Sequence, residues 1–146
     1  GLDFKSYLAV QKPYMTSEQI MELSRQGFYF GAHSIDHPMY ESISSNEQIR
    51  QTELSLRWQS ENLDQKYSLF AFPFSDTGVK SAFYKHFEKV DLIFGTAGLK
   101  HTAVKNHIQR IPMESTDYSG ENIIKAEYLY YVLKSLVGKN NFSGYD

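Results

Sequence analysis

The chain has 146 residues, a formal net charge of −2 and a pI of about 6.2. That length fits one domain, and nothing in the near-neutral balance points to nucleic acid or an anionic membrane surface. No run reaches the roughly 18 apolar residues of a membrane span, and no signal peptide is visible. The absence of cysteine rules out disulfides while leaving the compartment open.

In chain order, residues 1–14 read as an irregular lead-in. A helix fits residues 17–26: Thr16 can cap it, with Gln19 three positions on as in a capping box, and Gly27 ends it. Residues 28–34, opening on Phe28-Tyr29-Phe30, read as a strand. Ser45 followed by Gln48 is a second capping-box pattern, opening a helix over about residues 46–62. Ile49, Leu56 and Leu63 line one stripe of it, interrupted by Glu53 and Ser60. Residues 67–74 form a second strand, apolar enough to be buried on both faces. A short helix follows at 79–87, a third strand at 92–96, a fourth at 107–113 and a closing helix at 120–137 with Gly138 as its stop. The tail over 139–146 is expected to fray. Strands alternating with helices imply parallel βαβ units in one α/β domain over residues 1–146. Four strands are too few for a closed (β/α)₈ barrel.

The stretch Gly31-Ala32-His33-Ser34-Ile35-Asp36-His37-Pro38 carries the chemistry. His33 and His37 are four apart, directly after an apolar strand-like run. Two imidazoles at that spacing reach one side of a helical turn or tight loop, where both can hold one divalent metal in the neutral form. Without cysteine, a zinc-type site must use His, Asp and Glu. The competing reading is a chance pair of solvated loop histidines. The eleven Tyr, ten Phe and one Trp also have two readings: ordinary core packing, or a groove whose rings stack on the apolar faces of sugars.

The same stretch resembles the H-[S/T]-x-x-H motif of the polysaccharide deacetylases, the NodB-type domains of carbohydrate esterase family 4. Residues Met15 to Ile20 and Gln26-Gly27-Phe28 resemble the lead into it. Phe70-Ala71-Phe72-Pro73-Phe74-Ser75 resembles the family's third motif, and Arg110-Ile111-Pro112-Met113 its R-I-P-[VM] strand. The matches fall in the family's order over roughly residues 15–115. The resemblance implies a partial, distorted (β/α) barrel that holds the later strands and lacks the opening ones. It implies a hydrolase removing acetyl groups from an N-acetylated carbohydrate, with a divalent metal as cofactor, zinc above all. It also implies His33 and His37 as metal ligands, the backbone N–H of Phe74 as an oxyanion donor, and Pro73, Phe74 and Asp76 against the substrate.

The sequence departs from the family pattern in three places. The first motif, T-F-D-D-G, would supply the base and the third ligand, and no Asp here is adjacent to another. Asp36 and Asp76 are then the first candidates for a third ligand inside these residues. The family's third-motif Arg aligns with Ala71. Arg110 can replace it as the group that orients a carboxylate, or it can be a surface strand residue paired to some carboxylate. The late L-x-H motif is not recognisable: His101 and His107 stand in another context, and His86 reads as solvated. A degenerate or truncated domain that binds glycan without turnover therefore stands as the alternative, with an unrelated α/β domain behind it. No nucleic-acid partner is expected. An unpaired parallel edge where opening strands would lie is a template for association, so the chain is expected to self-associate, through a second copy or a swapped segment from residues 1–14. Light scattering checks this; a monodisperse monomer refutes it.

Overall fold

A computed structural model describes residues 3–12, 14–114 and 117–145. Gly1, Leu2 and Pro13 of the lead-in and Asp146 of the tail lie outside the described residues. The remainder forms α1 (Phe4–Gln11), α2 (Ser17–Arg25), a 3₁₀ turn (Tyr40–Ser42), α3 (Ser45–Asn62), β1 (Leu69–Ala71), α4 (Ser81–His86), β2 (Leu92–Gly95), β3 (His107–Gln109) and α5 (Gly120–Leu136). The sheet is parallel, in the order β1-β2-β3. This is the mixed α/β class expected, but as a small open sheet; the described residues do not close a barrel.

Several elements differ from the sequence reading, each for a local reason. The lead-in is helical: the Asp3 carboxylate accepts from the Lys5 N–H at 3.1 Å, and Lys12 ends the helix in the left-handed region with φ of 42°. The capping box on α2 is present as expected at Thr16 and Gln19. The cap of α3 lies one residue earlier, at Ser44, whose hydroxyl accepts from the Glu47 N–H at 3.3 Å. The strand expected over 28–34 shrinks to a single bridge, Ala32 to Phe70. Side-chain amides displace the rest of the ladder. Phe30 N–H donates to Gln65 Oε1 at 2.7 Å, and its carbonyl accepts from Gln59 Nε2 at 2.6 Å and Gln65 Nε2 at 2.9 Å. The strand expected over 67–74 stops at Ala71, before Pro73, which has no N–H, and Phe74, which has φ of 55°. The strand over 107–113 stops at Gln109, short of Pro112.

Register puts one residue from each strand into a buried row. Ala32 bridges Phe70, Phe70 pairs with Ile93, and Ile93 pairs with His107; all four are 7 % exposed or less. On that face pack Tyr40, Phe72, Val79, the α4 rings Phe83 and Tyr84, and Phe87 just after that helix. The next row, Ala71, Phe94 and Ile108, lies on the opposite face because side chains alternate, and Ile108 is 39 % exposed. One sheet face is thus a core and the other is open. The apolar stripe expected on α3 is borne out only in part: Leu63 at its C-cap is buried and Ile49 and Leu56 pack against the core, but the residues the helix itself buries are Gln48, Gln51, Thr52, Ser55 and Gln59.

The tail is docked rather than frayed. His101 N–H donates to Asn140 O at 2.8 Å, Phe142 N–H to His101 O at 2.7 Å and Ser81 N–H to Tyr145 O at 2.9 Å. The rings of Phe142 and Tyr145 pack on His107 and Tyr84. Helix α5 buries no residue. It touches the body through Tyr131, whose hydroxyl donates to Ala97 O at 2.6 Å. Gly98 permits this approach: its φ is 69°, and a Cβ there would meet the Tyr131 hydroxyl at 2.8 Å.

These contrasts predict uneven stability. Phe83 is 3 % exposed and surrounded by five aromatic rings, so Phe83→Ala is expected to cost about 3–5 kcal/mol. Tyr128→Ala on the exposed face of α5 is expected to stay within about 0.5 kcal/mol. Urea unfolding of both variants measures the difference.

Candidate functional site

Parallel strands of one sheet end at one edge, and the loops that leave that edge meet. His33 follows the Ala32 bridge, Phe74 follows β1, Thr96 follows β2 and Arg110 follows β3. These residues, with His37, Phe72 and the segment Ile111 to Glu114, line a pocket of about 450 Å³.

His33 Nδ1–H donates to the Ala71 carbonyl at 2.8 Å. A carbonyl only accepts, so this contact sets the tautomer and leaves Nε2 as a lone pair. His37 Nε2 stands 3.1 Å from His33 Nε2, with ring centroids 4.9 Å apart and planes at 67°. Burial lowers the His33 pKa below the ordinary histidine value, the charges of His37 and Arg110 push the same way, and the Ala71 bond opposes them. The neutral imidazole is thereby favoured. The His37 ring also meets the Phe74 ring edge-on at 4.7 Å. The loop that carries the pair is bent: Ser34 and His37 have φ of 68° and 54°, in the left-handed region that non-glycine residues seldom occupy.

Two imidazole nitrogens on one zinc, each about 2.0–2.1 Å from it at a tetrahedral angle, lie about 3.4 Å apart. The observed 3.1 Å is a hydrogen-bond distance, somewhat shorter than that spacing. The third donor is not evident. Among the described residues, no group of three or more His, Cys, Asp or Glu side chains is placed to hold a metal. Asp36 Oδ2 is instead bonded by Gln51 Nε2 at 2.8 Å.

Asp76 lies in the core rather than in the pocket. It is 2 % exposed. Its Oδ2 accepts from Gln109 Nε2 and sits 3.0 Å from His107 Nε2, and its Oδ1 accepts from the Thr96 N–H at 3.3 Å. Gly95 makes this arrangement possible, since any Cβ there would run into the Asp76 carboxylate and the Gln109 amide. His107 completes the chain of contacts with Nδ1 3.0 Å from the Tyr145 hydroxyl. Pro73 is also fully buried, whereas Phe74 is 60 % exposed at the pocket. Arg110 lines the pocket, its Nε donating to Gly95 O at 3.1 Å and its Nη2 to Phe72 O at 3.0 Å. It is thus tied to two strand ends rather than standing as a free surface side chain. His101 sits in the tail bridge, and His86 pairs with Glu53 on the surface at 2.7 Å.

Sequence reasoning missed Thr96, Glu114 and Gln51. Thr96 and Glu114 reach the pocket by following the ends of β2 and β3, a signal legible only once those strands are paired. Gln51 carried no signal, because a glutamine inside a helical pattern reads as a solvated position.

A family model described as polysaccharide deacetylase matches residues 4–88 of the chain, more than half its length. No curated protein and no solved structure matches the chain significantly.

The buried network around Asp76 sets a pH dependence. Burial raises the Asp76 pKa, but hydrogen bonds from His107 and Gln109 outweigh it and hold the carboxyl below its ordinary 3.8. A depressed folded-state value means stability that is present above about 3.8 and lost as pH falls through the folded value. Urea midpoints measured as pH falls from about 5 toward 2 should decline less steeply for Asp76→Asn than for the parent; parallel curves would refute the assignment.

Proposed function

The chain belongs to the polysaccharide deacetylase family, a family of hydrolases, and from that membership we propose that its pocket serves metal-dependent removal of acetyl groups from an N-acetylated carbohydrate. The observation that carries this reading is the 3.1 Å convergence of His33 Nε2 and His37 Nε2 at the strand ends.

His33 and His37 would hold the metal, which supplies Lewis-acid chemistry at the acetyl carbonyl. The residues of the chain do the rest. The Ala71 carbonyl keeps His33 in the tautomer whose Nε2 carries no proton. The Phe74 ring braces His37, and its backbone N–H is the proposed donor to the oxygen that gains charge. Arg110 presents its guanidinium beside His33, where a bidentate pair would orient a carboxylate. Exposed Phe74 and Met113 offer apolar contact to a sugar ring.

A second reading, glycan binding without turnover, is favoured by one observation: among the described residues no carboxylate joins the two imidazoles as a metal-binding group. The two readings separate experimentally. Calorimetry is expected to show weak Zn²⁺ binding, because two protein ligands fall short of the usual three or four, and His37→Ala should abolish it. Acetate release from an N-acetylated chito-oligosaccharide in the presence of Zn²⁺, absent in His37→Ala, supports the deacetylase. Oligosaccharide binding without acetate release supports the second reading.

A further inference from the structure

Gln51 of α3 is 2 % exposed, and its amide is wrapped by the loop between the two histidines. Its Oε1 accepts from the Ile35 N–H and the Asp36 N–H, both at 3.0 Å. Its Nε2 donates to Asp36 Oδ2 at 2.8 Å and to Glu47 Oε1 at 2.9 Å. A primary amide has two donors and two lone pairs, so every hydrogen-bonding position of this group is used.

The loop needs such a support. His33 is anchored independently, by its own bond to Ala71. His37 makes no such bond to a strand: beyond its edge contact with the Phe74 ring, its position follows from the backbone between them, which is in the left-handed region at both Ser34 and His37. Within the loop itself that path is held by the His37 N–H donating to Ser34 Oγ at 3.0 Å. Two consecutive N–H groups converging on one buried oxygen fix the direction of residues 35 and 36, and so the point from which the second imidazole leaves the chain.

We propose that Gln51 is a positioning residue: its saturated amide holds residues 35 and 36 so that His37 Nε2 meets His33 Nε2 at a common metal position. The proposal rests on reading the two histidines as metal ligands. It also accounts for a glutamine at this place. Leucine would fill the space but leave two backbone donors without the oxygen they share. Glutamate would keep an acceptor but turn its second oxygen toward the carboxylates of Asp36 and Glu47. Asparagine is one methylene too short.

The test uses NMR on the full chain, with and without Zn²⁺. In the metal-free parent the Ile35 and Asp36 amides should be protected from exchange, and the two imidazoles should show an inter-ring contact. In Gln51→Leu the protection of both amides is expected to fall about tenfold or more and the inter-ring contact to vanish, with His33 unmoved. Apparent Zn²⁺ affinity should drop to that of His37→Ala. Gln51→Glu keeps the acceptor but sets a charge against Asp36 and Glu47, so its amide protection should fall less than in Gln51→Leu. If Gln51→Leu fails to fold, the parent decides: Ile35 and Asp36 amides that exchange as freely as exposed loop amides overturn the proposal. So does Gln51→Leu with its ring contact intact and Zn²⁺ affinity within about twofold of the parent, under roughly 0.4 kcal/mol. Equal losses in Ser55→Ala overturn it too, because Ser55 is buried on the same helix and bonds the Thr52 carbonyl, so the effect would belong to helix packing. Zn²⁺ that shifts neither ring in the parent sinks the metal reading of the site, while the ring contact and amide protection still decide the role of Gln51.

Discussion

One hydrogen bond joins the chemistry to the fold: His33 Nδ1–H to the Ala71 carbonyl at 2.8 Å. It sets the tautomer of the first imidazole, fixes the ring against β1, and exists only because the Ala32 bridge brings the histidine loop alongside that strand. The bridge is narrow. Ala32 N–H donates to Leu69 O at 2.7 Å and Ala71 N–H to Ala32 O at 2.9 Å. The pocket therefore depends on a two-bond parallel attachment supported by side-chain amides from elsewhere, those of Gln51, Gln59 and Gln65.

That support explains why the inner side of α3 is polar. A helix against a full strand would bury an apolar stripe, since strand backbone groups satisfy one another. Here the segment beside α3 is a loop with backbone donors and acceptors left over, and a buried backbone group without a partner is costly. Glutamine suits the task because it carries both a donor and an acceptor on a long side chain. The same logic applies to Gln48, whose Nε2 donates to Tyr40 O at 2.8 Å. The buried amides of α3 are the counterpart of the missing ladder.

The two faces of the sheet divide the labour of the molecule. One carries the aromatic core and the Asp76, His107 and Tyr145 network, which ties β3 to the docked tail. The other stays open, with Ala71, Phe94, Arg110 and His33 lining a second hollow of about 410 Å³. Arg110 borders both hollows. It couples them by bonding carbonyls at the ends of two neighbouring strands.

Much was legible in the residues themselves. The alternation of apolar runs with helical patterns set the α/β class and parallel order, because parallel strands need crossovers. The H-x-x-x-H spacing located the imidazole pair, because four residues are few enough for geometry to be local. Strand lengths were not legible. Periodicity counts apolar positions, whereas a ladder needs a partner backbone in register, and Phe30 found side-chain amides instead. The family resemblance set Asp76 against the substrate; the approach of β3, with His107 and Gln109 facing it across Gly95, puts it in the core. The tail read as frayed because its docking partners, Ser81 and His101, are distant in sequence. Sequence decided what depends on neighbours along the chain, and the tertiary structure decided which backbone and carboxylate groups found partners across it, since those partners exist only after folding.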